Sequence, residues 1–172
     1  ALAHNPEEDE APFSAVPVSA VVETAATRHQ SEAILVVFDA HPMPESELTP
    51  EPRIRSAPEI IHGVGSLAQN AMQFAKSQVT VSTDWSDSQV RVTITDDGPG
   101  FSPFVLDRIG EPYISLRMTQ EDHMGLGIFI AQTLLARTGA QLSFGNQQEG
   151  GAVVEIRWPR AVIEGVSTQA IG

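Results

Sequence analysis

With 172 residues, 41% of them hydrophobic, the chain is long enough for one globular domain plus terminal extensions. Twenty-two acidic residues against ten basic ones give a formal net charge of −12, which argues against a nucleic-acid partner, because a phosphate-binding face needs clustered Lys and Arg. The chain has no cysteine, so disulfides, thiolate metal sites and cysteine redox chemistry are excluded within it; this favours a cytoplasmic setting.

Residues 1–17 read as a linker or tail, with the acidic run Glu7-Glu8-Asp9-Glu10 punctuated by Pro6, Pro12 and Pro17. The segment 19–29 reads as a helix with Ser19 as a candidate N-cap, and 33–39 (AILVVFD) as a buried strand. Four prolines within HPMPESELTPEPR force a loop, followed by a short strand at 53–56. Ser56, Pro58 and Glu59 mark the start of a helix expected to run to Lys76. Two segments of period two, 78–84 and 89–96, form a hairpin across Ser86–Ser88. A short helix is expected at 103–109, a loop at 110–124, and an apolar helix at 126–138 closed by Gly139. Strands at 140–145 and 152–158 close a last hairpin, and 161–172 reads as a C-terminal tail. The pattern predicts an α+β two-layer sandwich: a mixed, largely antiparallel sheet covered on one face by helices. No apolar run approaches the roughly 18 residues of a membrane span, so no direct membrane contact is expected of this segment.

Three clusters carry chemistry. In the helix EIIHGVGSLAQNAMQFAK, the residues Ile60, Val64, Leu67, Ala71 and Phe74 make one apolar stripe, flanked by Glu59, Ser66, Asn70 and Gln73. Asn70 lies nearest the stripe and either offers an oxygen to Mg²⁺ or bonds a neighbouring loop. Gly63 and Gly65 each cost about 1 kcal/mol against Ala in a helix interior, which calls for either a close neighbour or a helix that starts late. The spacing Gly63-x-Gly65-x-x-Ala68 mimics a dinucleotide fingerprint, but it lies inside a helical pattern rather than directly after a strand. The second cluster is Asp96-Asp97-Gly98-Pro99-Gly100. It is either a plain turn or a strand delivering a carboxylate to an exocyclic amine, beside backbone that a flat ring can approach. The third is His123-Met124-Gly125-Leu126-Gly127, opening a long apolar helix. Glycines there either serve the turn or leave N–H donors for phosphates at the positive end of the helix. The single lysine, Lys76, follows no glycine-rich loop, so a Walker-type phosphate loop is excluded.

Taken together, an asparagine on a helix, D-x-G-x-G at a strand end, a long loop and G-x-G opening a helix resemble the ATP-binding domain of histidine kinases. That domain belongs to the superfamily of gyrase, the Hsp90 chaperones and MutL. The stretch Gly110-Glu111-Pro112-Tyr113 is similar to the kinase F box, and Gly139 and Gly150-Gly151 fit the same branch. The segments IGEPY, GLGIFIAQTLLARTGAQLSF and QNAMQFA most resemble RegB/PrrB-type sensor kinases. The resemblance covers about residues 18–158. It implies a Bergerat-type fold for an ATP-binding domain spanning 18–160, with ATP and Mg²⁺ as ligands. It also implies Asn70 on Mg²⁺, Phe74 beside adenine, Asp96 on the adenine amino group, and Gly98 and Gly100 as close-approach glycines. Gly125, Leu126 and Gly127 are then the phosphate site and 110–124 a mobile lid, while Asp97 need not touch ligand.

Three positions depart from the family pattern: Ser66 for a second asparagine, Gln73 for a basic residue, and His123 for the first glycine of G-x-G-x-G. None of the five histidines, His4, His29, His41, His62 and His123, sits in a phosphoacceptor helix. The expectation is therefore a catalytic fragment with no catalytic residue of its own, transferring the γ-phosphoryl group to a histidine on dimerisation helices of its parent kinase. A response regulator lies downstream, and the parent is anchored in the inner membrane. The alternative is a nucleotide-binding regulatory module that transfers nothing.

Overall fold

The computed structural model describes residues 15–28, 31–109 and 122–171. A five-stranded sheet is formed by β2 (Leu35–Pro42), β4 (Gln78–Trp85), β5 (Gln89–Asp96), β6 (Gln141–Asn146) and β7 (Ala152–Pro159), in the order β2-β4-β5-β7-β6. Only β2 and β4 run parallel; the other three pairs are antiparallel. The helices are α1 (Val18–Thr27), α2 (Pro58–Phe74), α3 (Pro103–Arg108), α4 (Asp122–Ala136) and α5 (Arg160–Ile171). This is the expected α+β architecture. No described helix is long and apolar enough to cross a membrane.

The period-two pattern decides which face of the sheet is buried. Val79 and Val81 on β4, Val90, Val92 and Ile94 on β5, and Val154, Ile156 and Trp158 on β7 all lie in the core. The alternate residues Thr80, Ser82, Arg91, Thr93, Thr95 and Glu155 face away and are partly exposed. Helix α2 lies between α1 and α4 and packs on β4 and β5. Its stripe is buried as the spacing requires: Ile60, Val64, Leu67 and Ala71 are at most 4% exposed.

Several element ends differ from the sequence reading. Ser19 is not an N-cap; α1 starts one residue earlier, and the Ser19 N–H donates to Glu51 Oε2 at 2.8 Å. A distant carboxylate thus satisfies a first-turn donor. Ser56 does not cap α2 either: the N-cap is Ala57, with Pro58 in the first turn, and the helix ends at Phe74 rather than Lys76. Residues Val16–Pro17, read as tail, form β1, paired with β3 (Arg53–Ile54). The stretch from 161, also read as tail, belongs to α5, and Ile163 is fully buried. Gly139 behaves as expected, with φ +89° and its N–H on the Ala136 carbonyl. The expected lid lies outside the described residues over 110–121, and 122–124 is helical.

Gly63 answers the question of why a glycine sits inside a core helix. A Cβ there would lie 2.5 Å from Leu135 Cγ on α4, and Leu135 is fully buried. The approach of α2 to α4 depends on that missing atom. Gly63→Val should therefore lower the unfolding free energy by about 1–3 kcal/mol through overpacking, read by urea denaturation. Adding Leu135→Ala should make the effect clearly non-additive.

Candidate functional site

Three segments distant in sequence meet at the C-terminal end of β5. Helix α2 supplies Asn70 and its last residue, Phe74; β5 delivers Asp96; and β7 begins at Ala152. Together with Gly100 and Phe101, these residues line a cleft of about 10 Å³. That is room for little more than one water molecule and far below the roughly 300–1,000 Å³ usual for a ligand pocket, so a ligand enters it only if these walls part.

Asp96 is 7% exposed. Its Oδ1 accepts from the Gly98 N–H at 2.8 Å and the Ala152 N–H at 3.3 Å, and no donor among the described residues reaches Oδ2. Burial pushes the carboxyl pKa up, the two backbone donors oppose that, and the charge of Asp97 adds to the rise. Asp97 faces the other way. It accepts from the N–H groups of Lys76 (2.7 Å), Ser77 (3.0 Å) and Gln78 (3.2 Å) and from Ser77 Oγ at 2.6 Å. The Ser77 bonds, side chain first, hold its pKa well below the usual carboxylate range. Asp97 thus ties the turn between α2 and β4 to the end of β5, a structural task the sequence reading did not assign to it.

The two glycines after the aspartates have distinct reasons. A Cβ on Gly98 would collide with the Phe74 carbonyl oxygen, so its close approach is to the end of α2. Gly100 has φ +82°, and a Cβ there would sit 2.7 Å from Asn146 Oδ1. The β6–β7 hairpin, not foreseen as part of the site, holds this loop from the side. Asn146 Oδ1 accepts from the Phe101 N–H at 2.7 Å and its Nδ2 donates to the Phe101 carbonyl at 2.8 Å. Gln147 Nε2 donates to the Asp96 carbonyl at 3.0 Å, against which Gly151 also packs. Nothing local in the sequence signals these contacts, because Asn146 and Phe101 are 45 residues apart.

Asn70 is half-exposed and makes no side-chain hydrogen bond among the described residues. It is therefore not a cap for a neighbouring loop there. An amide oxygen at the cleft fits Mg²⁺, which takes few protein ligands and retains water and phosphate oxygens. No group of three His, Asp or Glu among the described residues could hold a metal alone. Gly125, Leu126 and Gly127 are brought to α4, but that helix begins at Asp122 rather than 126. Gly127 is then its sixth residue, with its N–H inside the regular i→i−4 ladder instead of free for phosphate. A Cβ at Gly127 would meet nothing within 4 Å.

The family described as histidine kinase-, DNA gyrase B- and HSP90-like ATPase matches residues 56–162. The chain belongs to this family of ATP-binding domains. In sequence it is RegB-like: the sensor histidine kinase RegB of Cereibacter sphaeroides is 38% identical over 162 residues, covering 83% of this chain. The match takes in 35% of RegB, so the chain spans about a third of the length of that relative. Among solved structures, the nucleotide-free catalytic domain of histidine kinase ThkA superposes with a TM-score of 0.67 at 17% identity, covering 86% of this chain and 95% of that one. Full-length ShkA in complex with AMPPNP superposes at 0.65 and 23% identity, covering 85% of this chain and 31% of that one. These structures share the fold.

The two aspartates should respond oppositely to pH. The depressed pKa of Asp97 contributes stability that is present above the ordinary carboxylate range and is lost as pH falls through the folded-state value. Asp97→Asn should therefore melt lower than the parent at pH 7.5, with the deficit narrowing on acidification. The raised pKa of Asp96 works against the folded state once the group ionises, so Asp96→Asn should melt no lower than the parent at pH 7.5. Any advantage of that variant should vanish as pH falls and the parent's carboxyl protonates. Thermal melts at pH 7.5, 5.5 and 3.5 check both signs.

Proposed function

We propose that this chain is the ATP-binding catalytic domain of a two-component sensor histidine kinase. The observation that carries the reading is the buried Asp96 carboxylate, which lines the cleft shared with Asn70 and Phe74 and is anchored through one oxygen by two backbone N–H groups, while its other oxygen has no donor among the described residues. A buried acceptor in a narrow slot suits the exocyclic amine of adenine, because an unpaired polar group there rejects bases lacking a matching donor. Membership of the ATPase family supports the same ligand, and ShkA was crystallised with an ATP analogue.

In this reading adenine enters beside Phe74 and Phe101, with its amine on Asp96. Asn70 offers its oxygen to Mg²⁺, which when bound neutralises phosphate charge. The phosphates meet the N-terminal part of α4 around Gly125, Leu126 and Gly127, and this requires the first turns of α4 to release N–H donors. Transfer breaks the bond between the γ-phosphorus and its bridging oxygen, forms a bond to an imidazole nitrogen and releases ADP. The imidazole proton passes to a base on the acceptor segment. Catalysis by this domain is positioning and charge neutralisation rather than covalent participation. The acceptor histidine belongs to dimerisation helices of the parent kinase, which then phosphorylates a response regulator.

Titration calorimetry should show that Asp96→Asn abolishes ATP binding while Asp97→Asn retains it once its lower melting point is respected. Equal losses would remove Asp96 from the adenine site. Asn70→Ala should weaken ATP binding in Mg²⁺ and have little effect in EDTA. With radiolabelled ATP, the chain alone should take up no acid-labile label, and adding a dimerisation-helix fragment with its phosphoacceptor histidine should restore weak labelling. ATP binding without transfer to a folded acceptor would favour the regulatory module, which the replacements at Ser66, Gln73 and His123 keep in view.

A further inference from the structure

The hairpin contact to the loop after Asp96 has a consequence for base recognition. Phe101 is 5% exposed and lines the cleft, in a loop between β5 and α3 that no strand partner holds. Its backbone N–H and carbonyl both need partners in that position, since buried backbone groups left unpaired are costly. One side chain supplies both: the Asn146 amide pairs with the Phe101 peptide groups as a second strand would. Two residues earlier on β6, Phe144 meets the Phe101 ring edge to face, with centroids 6.1 Å apart. The backbone conformation that makes this pairing possible is the left-handed one at Gly100, beside which the Asn146 oxygen lies.

We propose that Asn146 is a positioning residue for base recognition, fixing Phe101 and the Gly100 backbone as one wall of the adenine slot opposite Asn70 and Phe74. The inference rests on the nucleotide-binding reading of the Asp96 cleft and names a residue on which the selectivity of that cleft depends. Asn146 touches no ligand in this arrangement; it acts through Phe101. Its amide is suited to the task because it is both donor and acceptor in one plane. Aspartate keeps the acceptor for the Phe101 N–H but sets an oxygen against the Phe101 carbonyl. Serine can satisfy one of the two groups at most.

The test compares the parent chain, Asn146→Ala and Asn146→Ser by calorimetric titration with ATP and with GTP, well below the melting point of each. Asn146→Ala should weaken ATP by about tenfold, the factor expected from the net loss of one to two hydrogen bonds. It should weaken GTP less, so that the preference for ATP over GTP shrinks. Amide hydrogen exchange at Phe101 should accelerate in the same variant. If Asn146→Ala does not fold, Asn146→Ser is read by the same two ratios. Ile163→Ala, a fully buried residue on α5 beyond the end of β7 far from the cleft, serves as the control for destabilisation alone and should leave the ATP-to-GTP preference unchanged. Unchanged ATP affinity, or equal weakening of ATP and GTP, would overturn the positioning role. Failure of the parent chain to bind ATP at all would instead overturn the nucleotide-binding reading, so the two failures are distinct.

Discussion

Consecutive residues of a strand point to opposite faces, and at the end of β5 both of them are carboxylates. Asp96 turns into the core and Asp97 turns out. The inward carboxylate reaches the Gly98 and Ala152 N–H groups; the outward one gathers the N–H groups of residues 76–78. One strand end thereby organises the C-terminus of α2, the start of β4, the loop toward α3 and the start of β7. The register of β5 between β4 and β7 sets which aspartate faces which way, because a one-residue slip would exchange them.

The inward carboxylate is held in a place where its charge is disfavoured. Burial raises the Asp96 pKa, and two backbone hydrogen bonds offset only part of the penalty. An amide side chain there would keep an acceptor for both N–H groups without the buried charge. A group that costs stability and is nonetheless surrounded by fitted backbone is the pattern expected of a recognition element. The opposite holds at Asp97, where every contact favours the ion and none faces the cleft. Adjacent, chemically identical residues thus differ, the one with a proposed recognition role carrying a disfavoured charge and the structural tie a favoured one, as their opposite pKa directions express.

The cleft is also a junction between layers. Its wall on one side is the last turn of α2, whose place on the sheet depends on the close packing of Gly63 against Leu135 of α4. On the other side is the β6–β7 hairpin, which grips Phe101 and the Asp96 carbonyl through Asn146 and Gln147. The family match runs from 56 to 162 and so takes in both walls. Residues before it also belong to the domain: α1 packs on α2, and β2 extends the sheet beyond β4.

The sequence by itself determined the order of the elements between Val18 and Pro159, the buried faces of β4, β5 and β7 and the face of α2 that enters the core. These follow from periods of 2 and 3.6 in apolar residues, which are local properties. It also marked Asn70, Phe74, Asp96, Gly98 and Gly100, which the structure brings to one place; Gly125, Leu126 and Gly127 lie in α4, whose start the apolar period did not locate. Helix starts at Ser19 and Ser56 were misplaced because remote Glu51 and the backbone of Ala57 took over a task that cap residues usually perform. The tertiary structure alone decided that Asp97 is a structural tie, that Gly98 is required by the end of α2, and that Asn146 holds Phe101. Each of these depends on hydrogen bonds or close contacts between segments some 20 to 45 residues apart, and such pairings leave no periodic trace in the chain because their geometry exists only once the sheet has set its register.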